Sequence, residues 1–199
     1  LGVTHLRESG DLEAARTEFA TLLSLAHRCR FNYLAMQSHT CLGLTALRVG
    51  DLIAVRDACL AATAIAADHG WATSIWSAAA GAMLGFTELK RAEPADAARL
   101  AAAASESNIA KALPALRFAL EVIQGAATHD RGDRMEGLSH MQQARSDLGD
   151  KPAAPLVLAA AALLEARAAL QLGHLAAART VRSWLADRIG DCAELDLMR

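Results

Sequence analysis

LGVTHLR (1–7), LGLTALR (42–48) and LGFTELK (84–90) are three copies of one heptapeptide, spaced about forty residues apart. Self-similarity at a fixed period of this size is the mark of a repeat array, so it comes before any residue-level reading. Each copy is followed by a turn and a second helical stretch. The turns read GDLEAAR (10–16), GDLIAVR (50–56) and EPADAAR (93–99), with GDRMEGL (132–138) and GHLAAAR (173–179) further on. Five registers at a period of about 41 residues predict an all-α superhelix, a tetratricopeptide-like solenoid of about five two-helix units.

The local chemistry agrees with that period. Glycine ends one helix in a left-handed cap, and the aspartate after it caps the next helix and suits its positive end. Apolar residues then recur at helical spacing, as in Leu12, Ala15, Phe19, Leu22, Leu23 and Ala26. The pattern predicts B helices at 11–28, 51–68, 94–111, 133–148 and 174–189. A helices are predicted at 32–49, 72–90, 114–129 and 154–172. Pro114 and Pro155 open two of the A helices, where a missing N–H costs little.

The glycine of the heptapeptide recurs as Gly2, Gly43, Gly85 and Gly125, with Ala166 in the fifth unit. Glycine inside a helix costs roughly 0.5–1 kcal/mol against alanine. The offsetting gain is close approach to a small residue on helix B, expected at Ala14, Ala54, Ala97, Gly137 or Ala177. Residues 1–9 match the end of an A helix and 192–199 the start of another. The chain is therefore expected to be one repeat domain over 1–199, part of a longer solenoid.

Composition narrows the function. The net charge of −2 carries no basic footprint for nucleic acid. No run of eighteen apolar residues occurs, and 155–164 is too short to cross a bilayer. The four cysteines, Cys29, Cys41, Cys59 and Cys192, show no CxxC pair. They read as reduced, mostly buried thiols of a cytoplasmic protein. The seven histidines form no HxxxH or HExxH pair, so no metal site is expected. His69, His129 and His174 fall at helix ends and read as exposed polar groups or caps. No G-x-S-x-G nucleophile motif occurs, and the expectation is a chain without catalytic residues or cofactors.

Binding is the remaining class. Superhelical arrays bind on a concave face, which the A helices tend to line. One A-helix register holds Ala35, Trp76, Arg117 and Leu158, and the next turn brings Glu121. Trp76, Arg117 and Glu121, with Tyr33 and Gln37 nearby, are the candidate ligand-binding residues. An aromatic beside a charge pair suits a sugar, a nucleotide or a peptide. The competing reading makes Trp76 a filler between units and leaves the charges solvated. Phe31, Trp71 and Trp184 read as packing residues.

The LGxTxL(R/K) copies and the GD-L-x-A-x-R turns at Gly10 and Gly50 resemble tetratricopeptide repeats, although the ordinary period is about 34 residues. Longer units of about 41 resemble the superhelix of the large ATP-dependent LuxR-type bacterial transcription regulators, the maltose-activator-like family. The resemblance implies a segment between a nucleotide-binding module and a DNA-binding module. Such a segment receives an effector small molecule or a partner protein and controls self-association as a homo-oligomer. The chain has no G-x-x-x-x-G-K-[ST] loop and no basic recognition helix, so it is not expected to hold nucleotide phosphates or contact nucleic acid itself. The alternative is a free-standing scaffold that binds peptide segments of another protein.

Overall fold

The computed structural model describes residues 11–189. Ten helices, and no strand, occur among them. In chain order they are α1 (Leu12–Cys29), α2 (Asn32–Arg48), α3 (Leu52–Asp68), α4 (Ile75–Lys90), α5 (Pro94–Ser105), α6 (Asn108–Ala112), α7 (Pro114–Asp130), α8 (Arg134–Leu148), α9 (Pro155–Gln171) and α10 (Leu175–Ile189). The A helices are α2, α4, α7 and α9. The B helices are α1, α3, α5, α8 and α10.

One residue closes an A helix and opens a B helix. The Asp51 N–H donates to Ala46 O at 3.0 Å, with Gly50 left-handed between them. The Asp51 carboxylate then accepts the Ala54 N–H at 3.0 Å. The same 6→1 closure recurs from Glu93 to Glu88 O and from His174 to Ala169 O. At the second of these turns the left-handed residue is Ala92, φ 61°, where the other two place Gly50 and Gly173.

Adjacent helices pack in pairs, and each A helix also packs on the next: α2 on α4, α4 on α7, α7 on α9. Successive B helices make no comparable contact among the described residues. The A row therefore forms the inner layer of an all-α repeat superhelix, and the B row the outer. Burial follows. Helix α4 buries ten residues, among them Ser77, Ala80, Gly81, Gly85 and Thr87. Helix α3 buries only Val55, Cys59, Ala62 and Ala66, one stripe. The heptapeptide threonines explain themselves here. Thr45 and Thr87 are buried, and their hydroxyls donate to the carbonyls of Cys41 and Met83 one turn back.

The glycines sit at close approaches. A Cβ built on Gly125 would lie 2.9 Å from Gly137 O and 2.8 Å from Met141 Cγ. On Gly85 it would lie 3.1 Å from Ile123 Cγ2 and 3.4 Å from Ala97 O. On Gly43 it would meet Cys59 Sγ at 2.7 Å. Of the expected B-side partners Ala97 and Gly137 stand, and Ala14 and Ala54 need correction by one residue. Counted from the helix caps, the buried register is Ala15, Val55, Ala97 and Gly137, not Ala14 or Ala54. The EPAD turn lacks a glycine, so matching it by letters slips the register. The cap residues Asp51 and Glu93 are the true equivalents. Gly2 lies outside the described residues.

Two boundaries differ from expectation. The helix expected over 94–111 breaks after Ser105, because the Ser107 hydroxyl donates to Thr73 O at 2.6 Å and its backbone turns extended. The helix expected from residue 72 starts at Ile75, capped by Ser74, whose side chain accepts the Ser77 N–H.

Candidate functional site

Arg117 and Glu121 are one turn apart on α7, and the structure joins them: the guanidinium donates to Glu121 Oε1 at 2.7 Å. Asp147 of α8 stands 3.6 Å from the same guanidinium. These carboxylates hold Arg117 charged, its pKa raised first by the Glu121 hydrogen bond. The three line a cleft of about 110 Å³ with Lys111, Phe118 and Lys151. Small-molecule sites run to about 300–1,000 Å³, so this cleft is too small for a sugar ring or a nucleotide. Sequence reasoning found Arg117 and Glu121 but missed Asp147 and Lys151, which the α7–α8 pairing brings in, and Lys111, which comes from the short α6.

Trp76 stands elsewhere. It is half-buried and packs against two core clusters, one around Val55 and Cys59, the other around Ala15 and Phe19. Its carbonyl accepts from the Thr40 hydroxyl at 3.4 Å. Tyr33 lies edge-on to Trp71 with ring centroids 5.2 Å apart, and His69 stacks on Trp71 at 4.8 Å. Asn32 joins this group through a 2.7 Å contact from its amide nitrogen to His69 Nε2. Gln37 is half-buried on α2, one turn beyond Tyr33. Of the five candidates the structure pairs Arg117 with Glu121, while Tyr33 belongs to an aromatic group with Trp71. Phe31, expected to pack, is 61% exposed.

The titratable groups sort by burial. Cys59 and Cys41 are buried, and burial pushes their thiols up to about 12 and about 11. Cys29 is exposed, and Cys192 lies outside the described residues. His129, expected at the surface, is 2% exposed. It packs against Gly137, with Nδ1 3.1 Å from Asp130 Oδ1, while Asp130 Oδ2 accepts from Arg167 at 2.6 Å. Glu165 is buried and bound bidentately by Arg145 at 3.0–3.3 Å. Burial still outweighs that partner and raises the carboxyl pKa. Arg145 also lies over the Trp184 ring at 5.8 Å, which joins α8, α9 and α10.

Among the described residues no group of three or more His, Cys, Asp or Glu side chains is placed to hold a metal ion. No helix there is long and apolar enough to cross a membrane. The fold and these sites define an all-α helical-repeat superhelix. Compared with family models, curated proteins and solved structures, the chain matches none.

Proposed function

We propose that the chain is a non-catalytic superhelical domain that receives an effector or a partner protein within a bacterial LuxR-type transcription regulator. The observation that supports this reading is the layered array itself. Its inner row is dense with small residues, and its units are coupled by contacts that a bound molecule can shift in concert. Among the described residues the polar groups named above form ion pairs and caps. The compartment that goes with this role is the cytoplasm.

The experiment begins with the gene. A phosphate-binding loop encoded upstream and a basic helix-turn-helix of about 60 residues downstream are expected from the family resemblance. Their absence, with a stop codon or a polar capping helix soon after Arg199, favours the free-standing peptide-binding scaffold. For the inner face, Trp76→Ala and Arg117→Ala are titrated calorimetrically with the effector that the regulated genes suggest. Loss of binding in either variant at unchanged stability supports the inner face as receiver. Parent-like binding in both refutes it.

A further inference from the structure

A second surface lies on the outer row, away from the candidates above. Helices α1 and α3 form the walls of a groove of about 1140 Å³, and α2 forms its floor. That is larger than small-molecule sites of about 300–1,000 Å³ and runs the length of α1, about 27 Å at 1.5 Å per residue. The floor is weakly polar, with His39, Leu42, Thr45 and Ala46, and Val49 at the lip is 63% exposed.

The next outer groove shows why this one is open. There Arg56 of α3 reaches across to Glu88 of α4 at 3.1 Å. Glu88 lies four residues before the left-handed Ala92, and the equivalent position before Gly50 is Ala46. Arg16, the counterpart of Arg56, therefore meets no acid on the groove floor and turns back to Glu13 on its own helix at 2.8 Å.

Two charges remain. Among the described residues Arg28, on the α1 wall, and Asp57, on the α3 wall, have no ion-pair or hydrogen-bond partner in their side chains, and both are exposed. Counted from the caps Asp11 and Asp51, Arg28 lies eleven residues further along the parallel walls than Asp57. That is about 16 Å along the groove, three helical turns. We propose that this groove docks an amphipathic helix of a partner protein, with an acidic residue near its start and a basic residue eleven positions later. A cation suits a helix C-terminus and an anion its N-terminus. The charge order therefore sets the direction: the guest runs antiparallel to α1 and α3, as α2 does, with its acidic end at Arg28 and its basic end at Asp57.

The test uses the full chain and a fluorescein-labelled 18-residue helical peptide with one leucine face, glutamate in the first turn and lysine eleven residues on. A second peptide has the two charges exchanged. Anisotropy is expected to give micromolar binding of the first and at least about tenfold weaker binding of the second. The double variant R28E/D57K, at exposed sites and with an unchanged circular-dichroism spectrum, is expected to invert that order. Ala20→Trp, which fills the groove from α1, is expected to abolish binding of both. Equal affinity for the two peptides, or no binding below about 1 mM, overturns the proposal. So does sedimentation showing a dimer that Ala20→Trp dissociates, since a second copy then occupies the groove. None of these results bears on the inner face, whose test is separate.

Discussion

The pair α2–α3 and the pair α7–α8 are built on one motif and packed in two ways. In α7–α8 glycine meets glycine: a Cβ on Gly137 would lie 2.5 Å from Gly125 O and against the backbone N and Cβ of His129. In α2–α3 glycine meets a side chain, Cys59 Sγ. The surroundings differ in the same sense. Around α8 the units are tied by Arg145–Glu165 and by Arg188, which donates to Gly149 O and Lys151 O across the turn. Around α1–α3 the position of Glu165 holds Leu42 and that of Glu88 holds Ala46, and a groove is left. A repeat register dictates where helices meet. It leaves open how tightly, and the slack collects where the second partner of a contact is missing.

The sharpest way to break that comparison is alanine at the tight pair. Alanine gains about 1 kcal/mol of helix propensity over glycine, so a loss must come from crowding. At Gly137 the obstacle is backbone, which cannot rotate away, and overpacking of that kind costs about 3 kcal/mol or more. Gly137→Ala is expected to lower the unfolding free energy measured in urea by a net value of about 2 kcal/mol. Gly43→Ala displaces one sulfur, and its crowding cost nearly cancels the propensity gain. A Cys59→Ala background, which removes that sulfur, is expected to make Gly43→Ala stabilising, whereas no side-chain truncation opposite Gly137 rescues that site. Equal effects at the two glycines would erase the distinction.

Next in size is the ion pair that ties α8 to α9. Arg145→Ala leaves Glu165 buried without its counter-charge. Losing one partner of a buried pair costs about 3–5 kcal/mol; part of the arginine faces solvent, so about 2 kcal/mol is expected at neutral pH. The pH dependence has a definite sign. The folded-state pKa of Glu165 already lies above 4.5 because of burial, and losing Arg145 raises it further. The native state then takes up that proton before the unfolded chain does. The deficit is full above the folded pKa and shrinks as pH falls toward 4.5. Unfolding curves at pH 8 and pH 5 measure it; a deficit that grows on acidification contradicts the assignment.

Much of this was legible from letters because it is local. The Gly-Asp turns, the prolines at helix starts and the heptapeptide glycine placed nine of the ten helices, most of their ends within two residues of those observed. The misses have other causes. EPAD hides its register because Ala92 stands in for glycine. The break at Ser107 depends on a hydroxyl reaching Thr73, 34 residues away. His129 is buried because Gly137 leaves room beside it, which depends on how two helices cross. Trp76 and Arg117 share a sequence register, but one wedges between core clusters and the other pairs with Asp147. The outer groove is marked only by an alanine where another unit carries glutamate.

The smallest effect isolates the turn from the packing. Ala92 holds φ 61° where Gly50 and Gly173 hold 76°. A left-handed conformation costs an L-residue with a Cβ about 1–2 kcal/mol, and glycine returns part of that saving as unfolded-chain entropy. Ala92→Gly is therefore expected to stabilise the chain by about 0.5–1 kcal/mol. The reciprocal change is equally informative, because nothing lies within 4 Å of a Cβ built on Gly50. Gly50→Ala can then lose stability only through its backbone, by a similar amount. Thermal unfolding of both variants should give shifts of opposite sign and like size. If Gly50→Ala loses much more than Ala92→Gly gains, the turns are not equivalent, and the register that aligns the open groove with its closed neighbour fails with them.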